Sequence, residues 1–235
     1  MNPVFTIRLF GLEIPDTIVV SLGLTLVLLV VTWISSLRLK VHEPGRWQVV
    51  LEIFVGWIDN TIERIMSEDP RPYTPLIGTL IVWIGLCNLL AAVPWVRPPT
   101  ADLSTTVALA LIVMLAVPAY GIWRHGVAGY LKTYVRPHPL LLPFNLIGEL
   151  TRTVALAVRL FGNVMSGQMI GGILLLVAGL LIPIPLVMLG LLTGMIQAYI
   201  FGILAAVYIA AAVQVEERHH RDEGPELSTE SESPA

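Results

Sequence analysis

The sequence predicts an all-α, polytopic membrane protein with about five membrane helices plus one interfacial amphipathic helix, the last two membrane helices long and strongly tilted. Three observations carry this reading. Of 235 residues, 55% are hydrophobic and only 13% are charged, with a mean hydropathy of +0.78. A soluble domain is nearer a quarter charged, so the surface of a 25.7 kDa globule could not be covered. Uncharged runs of bilayer length recur along the chain. Nine of the charged side chains crowd between Glu216 and Glu232, outside every such run.

The other composition facts exclude whole classes of function. With 14 Lys and Arg against 17 Asp and Glu, no basic excess points to nucleic acid. The single cysteine, Cys87, lies in an apolar run and rules out an internal disulfide framework. There is no phosphate-binding loop, nucleophile arrangement or metal cluster. The five histidines form no ligand set, so the chain hydrolyses nothing by itself. The first 16 residues carry Arg8, Glu13 and Asp16, which does not read as a cleavable signal peptide.

Taken in order, the first span is Thr17–Ser36, twenty residues without a charge. At 1.5 Å per residue that is about 30 Å, the thickness of the hydrocarbon core. Residues 47–66 differ in kind. Val50, Ile53, Phe54, Trp57, Ile58, Ile62 and Ile65 recur at helical spacing while Glu52, Asp59, Glu63 and Arg64 interrupt, the pattern of an interfacial helix. Pro70, Pro72 and Pro75 stop that helix before the next span, residues 76–93, whose one strongly polar residue is Asn88. The third span, residues 105–123, contains Pro118 and is expected to kink there. A polar connector with Arg124, His125, Lys132, Arg136 and His138 follows.

Residues 144–182 are helix-compatible throughout, roughly 58 Å of helix and about twice the hydrocarbon thickness. Such a segment breaks near Gly162 or Gly171-Gly172, or it lies strongly tilted. Pro183 and Pro185 reverse the chain into a second long segment, residues 186–215. The membrane domain is therefore residues 1–216, and residues 217–235 read as an acidic, disordered tail. Basic residues follow span one (Arg38, Lys40, Arg46) and span three (Arg124, Lys132, Arg136), which puts those loops in the cytoplasm. The N-terminus is then outside and the C-terminus inside.

One charge stands where none should. Arg159 lies mid-helix, where an unpaired charge costs about 2.5–3.5 kcal/mol on insertion scales. Arg152, Asn163 and Ser166 share roughly its face, and Glu149, three residues before Arg152, can pair with Arg152. Arg159 has no carboxylate at three or four residues' distance. The remaining candidates, Gln197, Tyr199 and Tyr208 on the last segment, are neutral. An arginine does not give up its proton. It can hold water, repel cations or draw a carboxylate of another subunit into its charged form. The plainer alternative is snorkelling to a helix end, a reading that suits Arg152 better than Arg159. Gly162, Ser166, Gly167, Gly171 and Gly172 permit close helix approach, either within the chain or by a partner.

At Arg159-Leu160-Phe161-Gly162-Asn163 the sequence comes to resemble subunit a of the rotary F-type ATP synthase. The resemblance runs from the first span to Gln214. It includes Asp102-Leu103-Ser104-Thr105-Thr106, Pro143-Phe144-Asn145-Leu146-Ile147, and Gln197-Ala198-Tyr199-Ile200-Phe201. It implies an ion-translocating stator subunit in a bacterial inner membrane, without a cofactor and moving H⁺ or Na⁺. Its partners would be a c-subunit ring, the b or b′ subunits of a peripheral stalk, the remaining synthase subunits and membrane lipids. Arg159 would separate two aqueous half-channels and face the ring, with Gln197 close by. Gly162, Ser166, Gly167 and Gly171 would pack against the ring, and Asn163, Gln168, Arg152, Glu149, Asn88 and Asp102 would serve ion passage. Two positions where many members carry ionisable groups are here Gln168 and Gly190, and a common proline is Thr153. This pattern resembles the divergent variant found beside a normal synthase in some bacteria. Two other classes stand beside this reading. A stand-alone transporter or channel would call for paired repeats or a midplane substrate site. A scaffold without an ion path would tolerate replacement of Arg159.

Overall fold

The computed structural model describes residues 6–9, 12–37, 39, 45–66, 68–93, 96–135, 142–179 and 183–222. Six helices carry the fold: α1 (Asp16–Leu37), α2 (Arg46–Met66), α3 (Thr74–Leu90), α4 (Leu103–Val135), α5 (Leu142–Ala178) and α6 (Pro183–Asp222). Four of them contain segments long and apolar enough to cross a bilayer: Asp16–Leu37, Leu103–Val127, Ile147–Val177 and Ile184–Val213. The apolar α3 is shorter, at 17 residues. The chain is thus a helical, multi-pass membrane protein. Among the described residues the departures are a pair of short antiparallel strands, β1 (Thr6–Leu9) and β2 (Leu12–Pro15), ahead of α1, and a 3-10 turn at Pro99–Ala101.

Local chemistry explains where the helices begin and end. Asp16 opens α1 and accepts a hydrogen bond from the Thr17 amide at 2.9 Å, a negative charge at the positive end of the helix dipole. Pro75 stands in the first turn of α3, where a missing amide hydrogen costs nothing. Asp102 caps α4, its Oδ1 accepting from both the amide and the hydroxyl of Ser104 at 3.0 Å. Gly179 ends α5 in the left-handed conformation (φ 73°), which a side chain would oppose.

Several expectations need correction. The break in α4 falls at Gly126 (φ 73°, ψ 167°), not at Pro118, and the stretch read as a polar connector stays helical on both sides of it as far as Val135. Glycine takes up the irregular backbone there. Pro118 stays inside the helix, as proline can in membrane helices whose neighbours take up the freed carbonyl. α5 is one uninterrupted helix of 37 residues, with no break at Gly162 or Gly171-Gly172. α6 continues to Asp222, so the first residues assigned to the tail are helical; residues 223–235 lie outside the described residues.

Helix α6 is the hub. Gly194, Ala198, Gly202, Ala206 and Ala210 recur every four residues along it. Lipid gives helices no hydrophobic reason to associate, so close backbone approach at small residues has to supply the attraction. α3 runs antiparallel along this stripe: a methyl on Gly85 would touch Ala198, one on Gly194 would meet Asn88, and one on Gly202 would collide with Ile81. A first buried layer joins Ile84, Val113, Leu156, Leu160 and Phe201 from α3, α4, α5 and α6. A second joins Ile58, Ile62 and Met66 of α2 to Ile77, Val117, Ile209 and Val213. The amphipathic helix therefore seats its C-terminal half along α6, while Trp47, Val50, Ile53 and Phe54 at its start stay exposed. By contrast α1 buries only Thr17.

Candidate functional site

The pairing of α5 with α6 sets the heights of the polar side chains. The Arg152 guanidinium lies over the Tyr208 ring, 4.3 Å from its centroid. Leu156, Ala157 and Leu160 share a buried cluster with Ala198, Phe201 and Ala205. The helices are thus antiparallel, and counting along from the Arg152–Tyr208 contact sets Arg159 level with Phe201 and Asn163 level with Gln197. Arg159 and Gln197 are separated by about one turn, roughly 6 Å along the axis. The same register brings Gln168 opposite Leu192, within two residues of Gly190.

Arg159 is exposed on α5, between the buried Leu156 and Leu160. Among the described residues it makes no hydrogen bond, ion pair or ring contact. Two of the three neutral candidates named for it are engaged elsewhere. Tyr208 holds Arg152, and Tyr199 stacks on Trp57 with centroids 5.2 Å apart. Gln197 is buried, 7% exposed, and its Nε2 has no acceptor. Asn88, 3% exposed, donates from Nδ2 to the Gly194 carbonyl at 2.6 Å and leaves its own Oδ1 without a donor. One orphan acceptor therefore sits in the α3–α6 seam at Asn88, and one orphan donor on α6 at Gln197, three residues on from Gly194. Buried polar atoms are rarely left this way without a functional reason or a bound water.

Asp102 is half-buried at the far end. Besides capping α4 it accepts from the Thr17 hydroxyl at 3.3 Å, tying α1 to α4. Asn163 and Gln168 are half-buried on α5 beyond Arg159, and the Ser166 hydroxyl donates to the Asn163 carbonyl at 3.2 Å. On the other side of Arg159, Glu149 and Arg152 line a small cleft with Thr153 and Tyr208.

The glycines of α5 do no close packing among the described residues. A methyl group on Gly162, Gly167, Gly171 or Gly172 would find nothing within 4 Å. At 100° per residue, they divide between two faces. Gly162 and Ser166 point away from the buried face, as Arg159 does. Gly167 and Gly171 continue the direction of Leu160 and Val164, toward the bundle, yet meet open space. The glycine pattern of α6 does the close packing instead, and its four-residue spacing was readable beforehand. The Arg152–Tyr208 stack was not, because no sequence rule pairs residues 56 positions apart.

Comparison with known proteins came to the same region of the chain. The family model described as "ATP synthase A chain" matches residues 18–210. A protein named "ATP synthase subunit a 2" from Acaryochloris marina is 53% identical over 196 residues, covering 83% of this chain and 84% of its own length. "ATP synthase subunit a 1" from Chlorobaculum parvum is 50% identical over 208 residues, covering 88% and 92%. "ATP synthase subunit a" from Albidiferax ferrireducens is 50% identical over 204 residues, covering 86% and 88%.

Proposed function

The chain belongs to the ATP synthase A chain family, whose members are non-catalytic subunits of that complex, and on this premise we propose that it is the ion-translocating stator subunit that works against a ring of c subunits. The observation that carries the proposal is Arg159: a permanent positive charge midway along the long apolar span of α5, exposed and without a hydrogen-bond, ion-pair or ring partner among the described residues. A charge kept at that depth, at a cost of about 2.5–3.5 kcal/mol on insertion scales, calls for a partner that comes from outside.

The physics gives a cycle. A loaded ring carboxylate is neutral and can face lipid. To pass Arg159 it must release its ion, because only the charged carboxylate is attracted by the guanidinium. The same guanidinium repels a bare cation, so ions cannot run straight from one half-channel to the other. Membrane potential contributes about 2.3 kcal/mol per charge per 100 mV, and ring rotation turns that into torque. Gly162 and Ser166, on the outward side with Arg159, suit the ring contact. Gly167 and Gly171 face open space on the inner side, and with Asn163, Gln168, Gln197, Asn88 and, at the far end, Asp102 they suit the outer half-channel. Glu149 and Arg152, with Tyr208, suit the inner one.

The membrane domain spans residues 1–216 in this reading, with α3 as a fifth membrane helix. Ile147–Val177 is 31 residues, about 46 Å, and fitting it into 30 Å of hydrocarbon requires a tilt near 50°. α2, seated along α6, then lies close to the interface, where the b or b′ stalk subunits and the other synthase subunits assemble. The basic clusters put the C-terminus in the cytoplasm of a bacterial inner membrane, among its lipids, and no cofactor is needed. Relatives named "subunit a 1" and "subunit a 2" agree with a variant synthase standing beside another.

The ion is H⁺ or Na⁺. Gln168 and Gly190 offer no titratable relay, which favours a hydrated, oxygen-lined path. The test is ATP-driven transport in inverted vesicles holding the complete synthase, at controlled Na⁺ and with a protonophore. Direct acidification insensitive to Na⁺ assigns protons; Na⁺ uptake accelerated by the protonophore assigns sodium. Absence of both would overturn the proposal.

A further inference from the structure

We propose that the groove between α1 and α3 is a binding site for an anionic phospholipid, one acyl chain lying along the groove and the headgroup meeting Arg46 at its mouth. The groove has a volume of about 520 Å³ and is lined by Thr25, Thr32, Trp33, Ser36, Thr79 and Trp83, with leucines of α1 between them. It lies at membrane depth, along an α1 span of which only 6% is buried.

The lining looks polar by residue type but not by chemistry. The Thr25 hydroxyl donates to the Ser21 carbonyl at 2.8 Å and accepts from the Trp83 indole at 3.3 Å. The Thr79 hydroxyl donates to the Pro75 carbonyl at 2.6 Å. These hydroxyls are satisfied within the protein, so they offer a ligand mainly their carbon. Of the lining hydroxyls only those of Thr32 and Ser36 have no partner among the described residues, so a polar small molecule would recover little of its lost hydration there, whereas a hydrocarbon chain loses none. Size points the same way. A membrane-spanning helix about 10 Å across and 30 Å long displaces roughly 2,400 Å³, several times what the groove offers.

Charge selects the headgroup. Trp33 and Ser36 stand at the C-terminal mouth of the groove, and the Trp47 indole reaches the Ser35 hydroxyl at 3.5 Å, which brings the start of α2 to that mouth. Tryptophans at such a level mark the headgroup region. Arg46, next to Trp47, is exposed. The acidic side chain nearest along the helix, Glu52, accepts a hydrogen bond from Gln48 at 2.8 Å. In sequence, the link between the helices adds Arg38 and Lys40 against Glu43. Basic side chains of this kind attract anionic headgroups and gain nothing from zwitterionic ones.

The test uses the complete synthase in phosphatidylcholine vesicles doped with a phosphatidylglycerol carrying a photoreactive acyl chain; labelled peptides are then mapped. Label should concentrate on residues 25–37 and 79–83, and unlabelled phosphatidylglycerol should compete where phosphatidylcholine does not. Arg46→Gln should weaken the labelling about fivefold, the worth of one basic side chain at the surface. Thr32→Phe, which fills the groove without touching the charge, should abolish it. Label spread evenly over the exposed faces of α1 and α5, or equal labelling by a phosphatidylcholine analogue, would overturn the proposal. So would a Thr32→Cys variant that cross-links to a helix of another subunit. Only the leaflet assignment rests on the orientation proposed above, and the labelling readout is independent of ion transport.

Discussion

Replacing Arg159 by alanine separates a transport role from a structural one. The side chain makes no hydrogen bond, ion pair or ring contact with a described residue, so its loss removes no polar contact there. Stability should stay within about 0.5 kcal/mol, the range of surface substitutions. Insertion should become easier by about 2.5–3.5 kcal/mol. The synthase should therefore assemble in parental amounts. Transport is another matter. A cation passing about 5 Å from the guanidinium, at an effective permittivity near 20, meets a repulsion of about 3 kcal/mol. That is roughly two orders of magnitude in rate.

In inverted vesicles with parental amounts of synthase, Arg159→Ala should lose ATP-driven ion uptake. Passive leak under an imposed potential should rise about a hundredfold. Arg159→Lys should also fail, since lysine is a movable point charge that shifts its pKa readily when buried. If the alanine variant kept uptake within about threefold of the parent, the barrier argument would be refuted. Failure to assemble would instead give the arginine a structural role that its lack of polar partners among the described residues argues against.

Other substitutions test the packing. Gly202→Ala drives a methyl into the Ile81 side chain and should destabilise the chain by about 1–3 kcal/mol, read as a lower thermal midpoint. Gly162→Ala meets nothing within 4 Å and should leave that midpoint unchanged or slightly raised. Tyr208→Leu should cost about 0.5–2 kcal/mol by removing the ring under Arg152, whereas Tyr208→Phe should keep most of it. Cys87 is fully buried, so a maleimide should label it only after denaturation; labelling of the folded chain would show that position of α3 to be open.

Much of this was legible in the sequence, for identifiable reasons. Arg159 stood out because a charge in an apolar run violates a rule with few exceptions. The caps at Asp16, Asp102 and Gly179 rest on local chemistry that the sequence reading did not single out, since it carried the long segment past Gly179 to residue 182. What could not be read depends on neighbours. The hairpin at residues 6–15 lay in a stretch too short and mixed for either period. Pro118 drew attention as a breaker, yet the turn went to Gly126, because α4 had already run the length of a membrane span by that point. Glu149 looked like the partner of Arg152 by spacing, and the structure brings in Tyr208 from the next helix.

The two glycine-bearing helices show why spacing alone does not give function. On α6 the small residues recur every four positions and are filled by α3, with Asn88 bonded to the Gly194 carbonyl. On α5 Gly162 and Ser166, and Gly167 and Gly171, have the same spacing, yet a methyl on any of the three glycines meets nothing within 4 Å among the described residues and Ser166 is exposed. The filled stripe clamps α6 to α3, and α6 in turn holds α5 through the layer of Leu156, Leu160 and Phe201. Arg159 is thereby held at a fixed height, with the small residues Gly162 and Ser166 beside it on the outward face. In the proposed cycle a charge that meets a succession of passing carboxylates needs both properties at once: a rigid mount behind it and small residues next to it, where the partner comes closest.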